Sequence, residues 1–193
     1  AKLDSVFSVP NTFKVGTYNR VIHEMAEMEM INMGQYAHGN QPIQHMIYLY
    51  NYAGEPWKTQ KWARKVMDEL YSSTPDGYPG DEDQGQTSSW YVISAMGLYS
   101  VCPGTTEYVI GSPVFPKMTI QLENGKKLVI EAVNNSAENV YIQSASFNGQ
   151  PFTKNYLLYD DLMKGGTIRY QMGDTPAVGR GISEQDRPFS LSD

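Results

Sequence analysis

The 193 residues, 40% apolar and 19% charged, suffice for one large or two small domains with a buried core. A net charge of −6 argues against nucleic acid, which calls for clustered Lys and Arg, and against an anionic membrane surface. No apolar run reads as a signal peptide or a membrane span, and the single Cys102 leaves no internal disulfide. The chain starts AKLDSVF, without Met, and reads as a piece of something larger or as a processed chain.

In chain order, the first helix is expected from Tyr18 to Gly34, because Tyr18, Val21, Ile22, Met25 and Met28 recur at helical spacing. A second is expected over Pro42–Ala53, with Pro in its first turn and Gly54 after it. A third starts at Pro56, with Trp62, Val66 and Leu70 as one stripe that Ala63 and Met67 widen. A fourth runs from about Gln84 to Tyr99. It is apolar almost all round and is expected to be buried on most sides. After VCPGTTE the period drops to two. KMTIQLENGKKLVIEA reads as a hairpin around Asn124-Gly125 with a three-residue loop and a glycine bulge, in a register pairing Leu122 with Leu128, Ile120 with Ile130 and Met118 with Ala132. NVYIQSASFNG and GGTIRYQM are further strands of an antiparallel sandwich, and the tail SEQDRPFSLSD has no pattern. The fold class is α+β, with a helical part over 1–104 and a β-rich part over 105–193.

Two polar segments carry the candidate chemistry. The loop GDEDQGQ places Asp81, Glu82 and Asp83 between glycines, ahead of the apolar helix. From local sequence it is a solvated turn, an oxygen-ligand site for a hard cation, or a catalytic carboxylate pair beside a helix N-terminus. The EF-hand pattern fails, because no Glu arrives at its twelfth position. The segment AHGNQPIQH gathers His38, Asn40, Gln41, Gln44 and His45 around one turn, as a sugar site or as helix capping. Phosphate loops, Cys/His zinc spacing and the Gly-x-Ser-x-Gly turn are absent from the sequence.

Together, GQYAHGNQPIQHMIYLYNYAGEPWKTQ, LYSSTPDGYPGDEDQGQTSSWYVISAMGLYSVCPGTTEYVIGSPVF, ENGKKLVIEAVNNS and DDLMKGG resemble glycoside hydrolase family 92, the calcium-dependent exo-acting α-mannosidases. The matched segments cover most of residues 17–181 in the family's order. The resemblance implies the last helices of an (α/α)6 barrel followed by a terminal antiparallel β-sandwich-like region. It implies inverting hydrolysis of terminal α-mannose from glycans, with α-1,2 linkages the expected target.

On that resemblance Asp83 is the general base and Asp81 assists it, while Glu82 turns away. Ca2+ is held by Asn40, Gln41 and Asp83, Asn40 and Gln41 face the substrate, and His38 either contacts the sugar or stands behind the ligands. Many relatives carry Glu where Gln41 stands, so this chain brings one charge fewer to the cation. Trp90 is expected to pack rather than to stack on sugar. The family's general acid, in an E-G-x-x-W segment, has no counterpart in these residues. The chain is therefore expected to need the rest of its own enzyme, and alone to be inactive. The resemblance also implies a periplasmic or secreted protein. The competing readings are a non-catalytic carbohydrate-binding or interaction module, and an (α/α)6 hydrolase or lyase acting on another sugar.

Overall fold

The computed structural model describes residues 2–191; the last two residues of the patternless tail lie outside them. In chain order the elements are α1 (Lys2–Ser8), α2 (His23–Ile31), α3 (Pro56–Leu70), α4 (Gln86–Ala95), β1 (Leu98–Tyr99), β2 (Glu107–Ile110), β3 (Lys117–Gln121), β4 (Lys127–Val133), β5 (Tyr141–Phe147), β6 (Gln150–Pro151), β7 (Tyr156–Leu158), α5 (Tyr159–Met163) and β8 (Gly166–Gly173). The chain forms two compact units. The first takes the chain up to Met46 together with Asp68–Trp90, and the second takes Ile47–Met67 and the described chain from Tyr91 on.

In the first unit, Met28, Met33, Tyr36 and Trp90 are buried. Gly34 lies in the left-handed region at φ +65, and a Cβ there would sit 2.4 Å from the carbonyl oxygen of Val6. Only glycine permits that approach, which lets Gln35 N–H reach the Val6 carbonyl at 2.7 Å and brings the Phe7 and Tyr36 rings to 5.2 Å. The helix expected from Tyr18 begins only at His23. Asn19 is left-handed, Ile22 is extended, and Tyr18 and Val21 are exposed.

The expected helix over Pro42–Ala53 is instead two short 3-10 turns, Gln41–Ile43 and Met46–Tyr50. The reason is competition for carbonyls. The Gln44 carbonyl accepts from the Trp90 indole N–H at 3.3 Å, and the Ile47 carbonyl accepts from Thr59 Oγ at 2.9 Å. Each would otherwise receive the N–H four residues on, and the backbone tightens instead, with Asn51 N–H bonding the Tyr48 carbonyl. In α3 the buried face runs through Ala63, Val66 and Met67, with Trp62 and Leu70 at its margins. α4 is less enclosed than expected: Val92 is 58% exposed.

The second unit holds a three-stranded sheet, ordered β1-β2-β7, and a five-stranded sheet, ordered β3-β4-β8-β5-β6. Leu98, Ile110 and Leu157 of the smaller sheet share one apolar core with Leu128, Ile130 and Ile168 of the larger. Full burial of each such side chain contributes about 1.5–3 kcal/mol. The larger sheet is mixed rather than antiparallel, because β8 inserts between β4 and β5 and runs parallel to β4. The hairpin register also differs from the expected one by two residues: Ile120 faces Leu128 and Met118 faces Ile130. A three-residue loop, Glu123–Gly125, with Gly125 at φ +81, sets that register. A two-residue shift returns every side chain to the same face, so the apolar pattern alone could not separate the two registers.

Candidate active site

The acidic loop leads into α4. Glu82 folds back on the first turn of that helix: its Oε2 accepts from Gly85 N–H at 2.7 Å, and its Oε1 accepts from Ser88 N–H at 3.2 Å and Ser88 Oγ at 2.6 Å. These donors, Ser88 Oγ foremost, hold its carboxyl below the ordinary range. Asp83 and Gln84 are consecutive left-handed residues, at φ 56 and φ 57, followed by Gly85 at φ 94. A left-handed non-glycine residue costs on the order of 1 kcal/mol, and Asp tolerates it better than most. The turn leaves Asp83 exposed, and the Asp81 side chain is 81% exposed.

The Gly39–Gln41 turn meets this loop through glycine. A Cβ on Gly39 would lie 2.1 Å from the Pro79 carbonyl oxygen, and one on Gly80 would lie 2.8 Å from the Gly39 Cα. Neither backbone could approach the other with a larger residue at these positions. Gln41 ties the segments together. Its Nε2 donates to the Asp81 carbonyl at 2.9 Å, and the buried Thr87 Oγ donates to the same carbonyl at 3.1 Å. Gln44 adds a second tie, donating to Thr87 Oγ at 3.4 Å, and braces its own turn by donating to the His38 carbonyl at 3.2 Å.

The result is a cleft of about 300 Å³ lined by His23, Glu24, Glu27, Asn40, Gln41, Asp81 and Asp83, among others. A second recess of about 540 Å³, lined by Gln41, Pro42, Asp83, Gln84 and Gln86, shares Gln41, Pro42 and Asp83 with it. Sequence reasoning brought Asn40, Gln41, Asp81 and Asp83 to this cleft but missed the α2 contribution. His23 Nε2 lies 3.8 Å from Asp81 Oδ2, and Glu27 places its carboxylate against Gly39 and Gly80. Burial raises the Glu27 carboxyl above its ordinary range, and the Asp81 and Glu24 carboxylates raise it further against the opposing pull of His23. The acidic spacing in HEMAEME was the available signal, and the apolar reading of that helix hid it.

His38 is not at the cleft surface. It is fully buried, with Nδ1 2.7 Å from the Tyr36 hydroxyl, Nε2 2.8 Å from the Tyr71 hydroxyl, and its ring 4.3 Å from the Trp90 ring. One tyrosine donates to the neutral imidazole and the other accepts from it. Trp90, 1% exposed, packs here. Burial pushes the His38 pKa from 6.5 down to about 3. Between those values the unfolded chain binds the proton and the folded one does not, so stability falls as pH drops below about 6.5. In urea unfolding, moving from pH 7.5 to 5.5 is expected to cost the native protein about 1.4 kcal/mol more than its His38→Gln variant. Equal losses in the two proteins would show that His38 protonates freely in the folded state.

Among the described residues no group of three or more His, Cys, Asp or Glu is arranged to hold a metal, and no helix is long and apolar enough to cross a membrane. The donors at the cleft are instead amide and carboxylate oxygens. Gln41 commits its NH2 to Asp81, which leaves Oε1 as its ligating atom, and Glu24 Oε2 is buried with no hydrogen-bond partner. Such a set suits a hard cation that keeps several water or sugar oxygens and does not suit zinc.

A carboxylate loop at a helix start thus faces an amide-bearing turn across an open polar cleft. The comparisons assign the chain to a glycoside hydrolase family. The Glycosyl hydrolase family 92 catalytic domain matches residues 1–174, and the chain belongs to this family. It is 57% identical to the family GH92 inverting mannosidase BT2199 of Bacteroides thetaiotaomicron, covering 100% of this chain and 26% of that one with a TM-score of 0.84. The GH92 α-mannosidase BT3965 of the same organism, solved with mannoimidazole, is 37% identical over 98% of this chain and 24% of its own, with a TM-score of 0.88. An uncharacterized secreted glycosidase of Arthroderma benhamiae is 34% identical over 156 residues, 79% of this chain and 20% of that protein. The chain thus spans about a quarter or less of the length of these relatives.

Proposed function

We propose that the chain is the C-terminal part of an inverting, exo-acting α-mannosidase that removes terminal mannose from glycans, with α-1,2 linkages as its target. One observation carries the reading: Asp81, Asp83, Asn40 and Gln41 line one cleft and are fastened together by the Gln41–Asp81 bond. The solvated Asp83 carboxylate is the general base, taking a proton from the water that attacks the anomeric carbon. Asp81, beside His23, orients that water or Asp83 itself. The general acid comes from elsewhere in the full-length protein, across a gap of about 6.5–9.5 Å that admits the water.

Asn40, Gln41 and Asp83 would hold the Ca2+ that the family uses, and that ion, when bound, supplies charge to fix two neighbouring sugar hydroxyls. Asn40 and Gln41 also face the sugar, whereas His38 acts from behind them by fixing the turn. The helices before residue 104 belong to an (α/α)6 barrel and residues 105–193 to a terminal β-sandwich region, both completed by the rest of the enzyme. The relative named as secreted supports an extracytoplasmic setting, periplasmic or secreted.

The test is the stereochemistry of the full-length protein. With methyl α-1,2-mannobioside, whose reducing-end sugar is locked as the methyl glycoside, proton NMR is expected to show β-mannose as the first free anomer released, before mutarotation. α-Mannose appearing first would exclude the inverting reading. Faster turnover of α-1,3- or α-1,6-mannobiose would move the linkage assignment alone.

A further inference from the structure

Glu82 stands between the two cleft carboxylates yet lines neither recess. Its carboxylate satisfies Gly85 N–H, Ser88 N–H and Ser88 Oγ, and its own carbonyl accepts from Thr87 N–H at 3.1 Å. These bonds bracket the left-handed stretch Asp83–Gln84–Gly85 from both ends. Ser88 Oγ also meets the Tyr78 hydroxyl at 3.0 Å, and the Tyr78 ring packs edge-on against Tyr71 at 6.0 Å. Tyr71 in turn holds His38, behind the Asn40–Gln41 turn. A strained backbone persists where its surroundings over-determine it, and here the surroundings are the Glu82 carboxylate and its partners.

We propose that Glu82 is a positioning residue that clamps the left-handed turn and so aims Asp83, with Asp81, into the cleft. The inference rests on the reading of Asp83 as general base. Because Glu82 touches no cleft volume, its loss acts on orientation rather than on binding, and a base displaced by about 1 Å can lose about 100-fold in rate.

The test uses the full-length protein with α-1,2-mannobiose. Glu82→Ala is expected to lower kcat by about 10- to 100-fold with KM changed less than about threefold. Glu82→Gln, which keeps an acceptor oxygen for Ser88, is expected to restore part of that loss. Placed in an Asp83→Asn background, Glu82→Ala is expected to cost nothing further, since the two act through one group. If Glu82→Ala does not fold, Ser88→Ala removes the 2.6 Å bond to Glu82 together with the 3.0 Å bond to Tyr78, keeps both backbone donors to Glu82, and is expected to lower kcat by about threefold to tenfold. A correctly folded Glu82→Ala with native kcat and only a lowered melting temperature would overturn the proposal, as would a native kcat for Ser88→Ala when it is the variant tested. An active Asp83→Asn protein would overturn the base assignment itself, a separate result.

Discussion

Asp83→Asn in the full-length protein is expected to lower kcat by about 10²- to 10⁴-fold, the usual contribution of a positioned base, or roughly 3–5 kcal/mol of barrier. Binding of a mannose-like iminosugar is expected to change less than about threefold. The choice of Asn follows from the backbone. Asp83 sits at φ 56, and Asn and Asp are the side chains that visit this region most readily. Alanine would add a conformational cost to the chemical one and blur the reading. Asparagine also keeps one oxygen that can face a cation, so its deficit isolates proton transfer from metal binding. Asp81→Asn is expected to cost less, because Asp81 assists rather than abstracts, while its carbonyl still receives Gln41 and Thr87. The measurement is steady-state turnover beside calorimetric titration of the inhibitor. If Asp83→Asn stays within about tenfold of native and Asp81→Asn does not, the base is Asp81.

Much of this site was legible because its parts are short runs with their own chemistry. GDEDQGQ places two carboxylates ahead of a helix, and HGNQP places two amides on a turn. What escaped is what only long-range contact decides. Glu82 does turn from the cleft, and it does so by capping α4. For His38 the resemblance left a sugar contact and a supporting place behind the ligands both open. Its fate is set by Tyr71, 33 residues away in sequence, and by Trp90, with which it shares the core. Gln41 looked like a weakened ligand where relatives carry Glu, whereas its NH2 makes a bond to the Asp81 carbonyl that a carboxylate could not make. The β4·β8 pairing is parallel and joins strands that no local turn connects, so hairpin signals were blind to it.

The isolated 193-residue chain is expected to hydrolyse α-1,2-mannobiose at no more than about 10⁻² to 10⁻⁴ of the full-length rate, because departure of the sugar leaving group requires a proton, and in the proposed function the acid that gives it comes from elsewhere in the full-length protein. The candidates within the cleft are Glu24, Glu27, Asp81 and Asp83. The Glu27 carboxyl is raised, chiefly by burial. Yet it lies between Gly39 and Gly80 beside the base loop, and an inverting acid must approach the sugar from the opposite face. A loss of this size could also come from a collapsed site, and leaving-group chemistry separates the two causes. An aryl mannoside with a strongly acidic phenol leaves without protonation. If only the acid is missing, the gap between fragment and full-length protein is expected to narrow by about tenfold or more with that substrate. If the cleft has collapsed, both substrates lose equally. Mannobiose turnover by the fragment that Glu27→Gln then abolishes would place the acid on α2 and make this chain a complete catalytic unit, contrary to the reading offered here.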